Sequence, residues 1–121
     1  MRTKEKGIMW KFSAILAKNH GLEEAVFCQY LYERLREAYK QRNQRKRREE
    51  ICLLPDGTPW IPRTLIDYCK ELPFWSEKQI RRILASCKRK GLIASDYLEP
   101  NPMDRRLWYT LKGVTIYDWG E

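Results

Sequence analysis

Histidines, glycine-rich loops and paired cysteines are what this sequence has least of. His20 is the only histidine among 121 residues, and it stands beside Gly21, where a helix end accounts for it. One imidazole is a poor basis for general acid–base catalysis and too little for a zinc site. No GxGxxG, P-loop or GxSxG pattern occurs, so dinucleotide, nucleotide-phosphate and serine-hydrolase chemistry lack their usual sequence supports. Cys28, Cys52, Cys69 and Cys87 lie 24, 17 and 18 residues apart, without a CxxC pair. Cys28, Cys69 and Cys87 fall within helical apolar patterns, which favours buried, reduced thiols over disulfides or metal ligands. Apolar runs are short as well. Arg2, Lys4 and Lys6 precede an apolar stretch that Lys11 interrupts, leaving neither a signal-peptide core nor a membrane span. The expectation is a cytoplasmic protein that uses no metal or cofactor, avoids the membrane, and binds rather than catalyses.

Positive charge is what the sequence has in excess, and it comes in two blocks. The net charge is +8. Residues 40–48 hold six cations and no anion, and residues 76–90 hold six cations and one anion. The stretches 49–75 and 91–121 are each net acidic. Charge concentrated in this way favours a polyanionic partner, with nucleic acid ahead of an anionic membrane surface. An apolar content of 43%, with 12% aromatics, suffices for a globular core. A chain of 121 residues is most simply one domain, 1–121.

Residues 76–91, SEKQIRRILASCKRKG, organise the rest. Ile80, Ile83, Leu84 and Cys87 form one apolar stripe on a helix. Ser76 with Gln79 reads as a capping box, and Gly91 stands where a helix wants its left-handed C′ residue. With the stripe facing inward, Lys78, Arg82 and Arg89 point away from the core beside Ala85 and Ser86, while Arg81 and Lys88 lie on a flank. A capped helix with a core face and a cationic face suits the major groove of DNA; a solvated surface helix has the same pattern. The DNA contacts expected on it are Ser76, Lys78, Gln79, Arg81, Arg82, Ser86, Lys88 and Arg89.

Upstream, Ile8, Trp10 and Phe12 alternate as a short extended segment. Ser13 caps a helix over 14–20, and Glu23 and Glu24 suit the first turn of a longer one over 22–40. Phe27, Cys28, Leu31, Leu35, Ala38 and Tyr39 form its apolar face. Val26 and Tyr30 lie on another side, where they either close the N-terminal core or join Ile8 and Trp10 in the two-fold contact of a homodimer. Residues 40–50, KQRNQRKRREE, carry no apolar residue and either extend that helix into solvent or form a loop. Arg45, Lys46, Arg47 and Arg48 are placed there to rest on phosphates, unless they are only a solvated tip.

Residues 51–61, ICLLPDGTPWI, read as strand, turn and strand. Pro62 then suits the first position of a helix over 63–72. Phe74 and Trp75 make the brief turn into the capped cationic helix, which completes a helix-turn-helix order. Strands over 92–98 and 106–111 are separated by turn residues and give a wing, with the strand at 59–61 pairing alongside. Arg105 and Arg106 near the wing tip are positioned for phosphate or minor-groove contact, against the alternative of two solubilising arginines. In the tail, Val114, Ile116, Tyr117 and Trp119 either pack on the domain or mark a joint to something else. The fold class expected is mainly α with a small antiparallel β-sheet, a winged helix-turn-helix. Its parts are N-terminal helices over about 13–40, a cationic connector over 40–50, the helix-turn-helix over 62–91, the wing over 92–111 and a tail over 112–121.

Four short motifs carry a resemblance. Gly-x-x-Trp-Ile at 57–61, Trp-Ser at 75–76, Gln-Ile-Arg-Arg at 79–82 and Lys-Gly-Leu-Ile at 90–93 occur here in that order. The chain resembles the winged-helix N-terminal domain of phage and mobile-element replication-initiation proteins, the replisome-organiser or DnaD-like proteins of Gram-positive bacteria and their phages. The resemblance covers residues 8–111. It departs from the group in a longer cationic run at 40–50, and the second domain that contacts other replication factors in that group is not among these residues. The resemblance implies a sequence-specific double-stranded DNA-binding module of a replication initiator, working at the nucleoid of a bacterial host beside other replication proteins. The same core pattern serves winged-helix transcriptional regulators, and winged helices used for protein contacts alone.

Overall fold

The computed structural model describes residues 12–45, 50–98 and 106–119. Among them the elements run α1 (Ala14–His20), α2 (Leu22–Lys40), β1 (Cys52–Leu53), β2 (Pro59–Arg63), α3 (Leu65–Glu71), α4 (Glu77–Arg89), β3 (Ile93–Asp96) and β4 (Leu107–Leu111). A 3-10 turn, Ile116–Trp119, follows. The fold is mainly helical with a small antiparallel sheet, a winged helix-turn-helix.

Hydroxyl side chains start three of these helices. Ser13 accepts from the Leu16 amide, Thr64 from Asp67 and Ser76 from Gln79. At the last two the reciprocal bond is also made, closing capping boxes that satisfy otherwise orphaned amides. The end of α4 is equally local in origin. Gly91 takes a φ of +72°. The Leu92 amide donates to the Cys87 carbonyl at 2.9 Å and the Gly91 amide to Lys88 at 3.1 Å, a Schellman closure.

The sheet order is β1-β2-β4-β3 with every pairing antiparallel. β2 meets β4 from Ile61 to Arg63, whereas Trp60 itself pairs with Cys52 of β1. β3 and β4 form the arms of the wing, with Ile93 opposite Leu111 and Asp96 opposite Trp108. Helices α2, α3 and α4 share one core with the sheet, in which Leu31, Tyr68, Leu72, Ile80 and Ile83 meet Ile61, Ile93 and Tyr109. All six apolar-face residues expected on α2 are buried.

Several expectations are corrected here. Pro62 does not open α3 but lies in β2, opposite Trp108. β1 stops short of it, so β2 has an edge there, and edges are where sheets tolerate proline. The Thr64–Asp67 capping box starts the helix instead. Tyr30 is not available to a two-fold contact. It is 5% exposed, packs on Phe27 and Tyr68, and donates its hydroxyl to Glu71. Ile8 and Trp10 lie outside the described residues. Of the two alternatives for the cationic run, the described residues 41–45 take the loop: α2 ends at Lys40 and Arg42 folds back over it. Its guanidinium stacks 3.7 Å over the Tyr39 ring and Nη1 donates to the Tyr39 carbonyl at 2.7 Å. In the tail, Trp119 packs against Tyr32 and Tyr39 and donates to the Tyr32 hydroxyl at 3.0 Å. Tyr117 stays exposed with its ring over Gly57, whose φ of +86° and lack of a Cβ permit the close approach.

Candidate nucleic-acid interface

The core-facing stripe of α4 is rotated from the expected one. Ile80, Ile83, Ser86 and Cys87 are buried, while Leu84 is half-buried at the edge nearest the wing. Ser86 therefore leaves the outer face. Its hydroxyl donates to Glu24 Oε2 at the start of α2. Lys90 Nζ donates to the same oxygen at 3.2 Å and to the His20 carbonyl at 2.6 Å. Burial opposes ionisation of Glu24, but the bonds from Ser86, its own backbone and Lys90 outweigh it and hold the carboxyl below its ordinary value.

Arg82 stays exposed, as expected, but it is engaged within the chain. Its guanidinium is held by Glu23, with Nη1 on Oε1 at 2.9 Å and Nη2 on Oε2 at 3.2 Å. This bidentate carboxylate bond stabilises the cation and raises the Arg82 pKa. Helix α4 is thus clamped along one flank by two consecutive carboxylates of α2. The clamp joins residues about 60 positions apart in the chain, so nothing in the local pattern of α4 announces it. Glu23 and Glu24 read locally as acids suited to a helix start, and their second use depends on how the helices cross.

The remaining outer face carries Lys78, Arg81, Ala85, Lys88 and Arg89, all exposed. Arg81 pairs with Glu77 one turn earlier, through bonds of 3.0 and 3.2 Å. No hydrogen bond or ion pair among the described residues occupies the heads of Lys78, Lys88 or Arg89. Lys88 Nζ lies 5.6 Å from the centroid of the Tyr109 ring, within cation–π reach. Ser76 and Gln79 spend their side chains on the capping box, which places them at the helix start rather than leaving them free for a partner.

On the wing, Arg106 bonds Glu50 bidentately at 2.6 and 3.2 Å. It also lies 5.8 Å from the Trp108 ring centroid. Arg45 is exposed beyond the end of α2. Lys46, Arg47, Arg48 and Arg105 lie outside the described residues. The outer face of α4 and the base of the wing are neighbours, since Arg81, Leu84, Tyr97 and Arg106 line one cleft. The sequence reading missed Tyr97, an exposed aromatic at the end of β3 that follows no periodic pattern.

No protein-family model, curated protein or solved structure matches the chain. Among the described residues no group of three potential metal ligands occurs, and no helix is long and apolar enough to cross a membrane. The four cysteines are free thiols, with Cys28 and Cys87 buried where α2 crosses α4. The interaction of the two thiols pushes the Cys87 pKa up and the Cys28 pKa down. Among the described residues, exposed cations are concentrated on α4, a helix capped at both ends.

Proposed function

We propose that the chain is a sequence-specific double-stranded DNA-binding protein that lays the outer face of α4 in the major groove and sets the wing against the flanking backbone. The observation that carries this reading is the exposed cationic face of Lys78, Arg81, Lys88 and Arg89 on a helix whose opposite face is buried and whose two ends are capped. A major groove is wide enough to admit one α-helix, and lysine and arginine heads bond guanine edges and phosphates there. In this reading Lys78 and Arg81, in the N-terminal half, meet base edges. Lys88 and Arg89 near the end of α4, Arg106 at the wing and Arg45 beyond α2 meet phosphates, which position the protein without specifying sequence. Arg82 reaches DNA only by leaving Glu23. The chain acts by binding, not by catalysis.

The motifs at 57–61, 75–76, 79–82 and 90–93 support the narrower reading that this is the DNA-binding module of a phage or mobile-element replication initiator. The test is selection of bound duplexes from a random pool, repeated at two salt concentrations. The expected result is an enriched site whose affinity falls steeply with salt. Recovery of no preferred sequence, together with a flat salt dependence, would rule the reading out.

A further inference from the structure

Between α4 and the base of the wing lies an open cleft of about 320 Å³. That is the low end of the range for small-ligand sites, about 300–1,000 Å³, so it suits one small planar group rather than a helix or strand of a partner. Leu84 and Leu107 form apolar wall, Tyr109 belongs to the lining from the core side, and Tyr97 stands at the mouth with 61% of its surface exposed. Arg63, Arg81 and Arg106 supply the charge, Arg63 from the buried side. All three guanidiniums are paired with carboxylates that do not line the cleft, Arg63 with Glu71, Arg81 with Glu77 and Arg106 with Glu50. No carboxylate is among the described residues of the lining.

This combination is selective. A bare phosphate gains from the arginines but not from leucine walls and a phenol ring. An aliphatic ligand gains from the walls but wastes the guanidiniums. A nucleotide with an unpaired base uses both, because its base has two free π-faces and its phosphate is anionic. A base inside an intact duplex has its faces already stacked and cannot enter. We propose that the cleft is a site for one unpaired nucleotide, whose base stacks on Tyr97 against the Leu84 and Leu107 wall and whose phosphate lies at Arg106, leaving Arg81 to the duplex. The proposal rests on the duplex-binding reading above and extends it to DNA that is open beside the recognition helix.

The test uses the full chain and three labelled probes: a paired duplex, the same duplex with a single-thymidine bulge, and a thymidine homopolymer strand. The expected result is about tenfold tighter binding of the bulged duplex than of the paired one, the scale of one stacked base. Tyr97→Ala, at an exposed position, should abolish that preference and weaken homopolymer binding, while leaving the paired-duplex affinity unchanged. Tyr97→Phe should restore the preference. Equal binding of paired and bulged duplexes by the parent chain, or a preference that survives Tyr97→Ala, would overturn the cleft site and leave the duplex reading standing. Homopolymer binding that depends on Tyr97, without any duplex binding, would support the cleft and overturn the duplex reading. Absence of binding to all three probes would overturn both.

Discussion

Glu24 ties the far end of α4 to the start of α2. It is 8% exposed and accepts from both Ser86 and Lys90. Ser86→Ala leaves a buried carboxylate short of a donor, which costs about 1–3 kcal/mol; urea unfolding should show that loss. The sign of the pH dependence follows from the depressed Glu24 pKa. The ionised group contributes stability at neutral pH, and that contribution is lost as pH falls below about 4.5 and through the folded-state value. Glu24→Gln should therefore flatten the acid limb of the stability curve, read as the difference in unfolding midpoint between pH 7 and acid. Its neighbour has the opposite bearing on binding. Glu23 pairs with Arg82, so if the proposed DNA reading holds, Glu23→Gln should raise duplex affinity by about two- to fivefold, the scale of releasing an exposed ion pair. A titration showing unchanged or weaker binding would mean that Arg82 takes no part. Neither role was legible from the sequence. Ser86 sits beside a clear apolar stripe, and only the crossing of α2 over α4 turns a small polar residue inward.

At the scale of elements, local chemistry was read well and competing local signals were not. The Ser76–Gln79 box and the Gly91 stop are made within a few residues, and both are formed as the sequence implies. Ser76→Ala should cost about 1 kcal/mol and should speed amide exchange in the first turn of α4 before the rest of the core. At α3 the sequence pointed to Pro62 as the first helical position, and the Thr64–Asp67 cap went unread. The helix starts at that cap because β2 continues through Pro62 to pair with β4. The buried face of α2 was legible from its spacing, whereas the place of Tyr30 was left open because α3, far along the chain, covers a second side of that helix. The α2–α4 crossing also sets the cysteine chemistry. The native chain should show no disulfide, with the half-buried Cys52 and Cys69 modified by a thiol reagent before the buried Cys28 and Cys87. Early modification of the Cys87 thiol would contradict the core face assigned to α4.

For the whole molecule, the order of helices and the wing was legible because each signal is short-range, and the sheet assembled from strands whose turns the sequence marks. The distribution of charge was legible too, but its pairing was not. Three of the arginines expected to face DNA are each bound to a glutamate: Arg81 to Glu77, Arg82 to Glu23 and Arg106 to Glu50. Lys78, Lys88 and Arg89 are left as the exposed cations of α4 with no such bond among the described residues. In the proposed reading Lys78 and Arg81 stand in the first half of α4 and Lys88 and Arg89 near its end, so base reading and phosphate binding are separable by substitution. Lys88→Ala with Arg89→Ala should weaken all duplexes alike and lower the salt slope by about 0.9 for each phosphate that is no longer neutralised. The measurement that tests the central claim most directly is the affinity of the parent chain and of Lys78→Ala with Arg81→Ala for a selected duplex and its scrambled counterpart. The account predicts that the double variant binds the selected duplex about tenfold or more weakly, as guanine-edge bonds of about 1–3 kcal/mol are removed, and the scrambled one with a much smaller deficit. Equal weakening on both duplexes would contradict it, since α4 would then be a charged surface that does not read DNA.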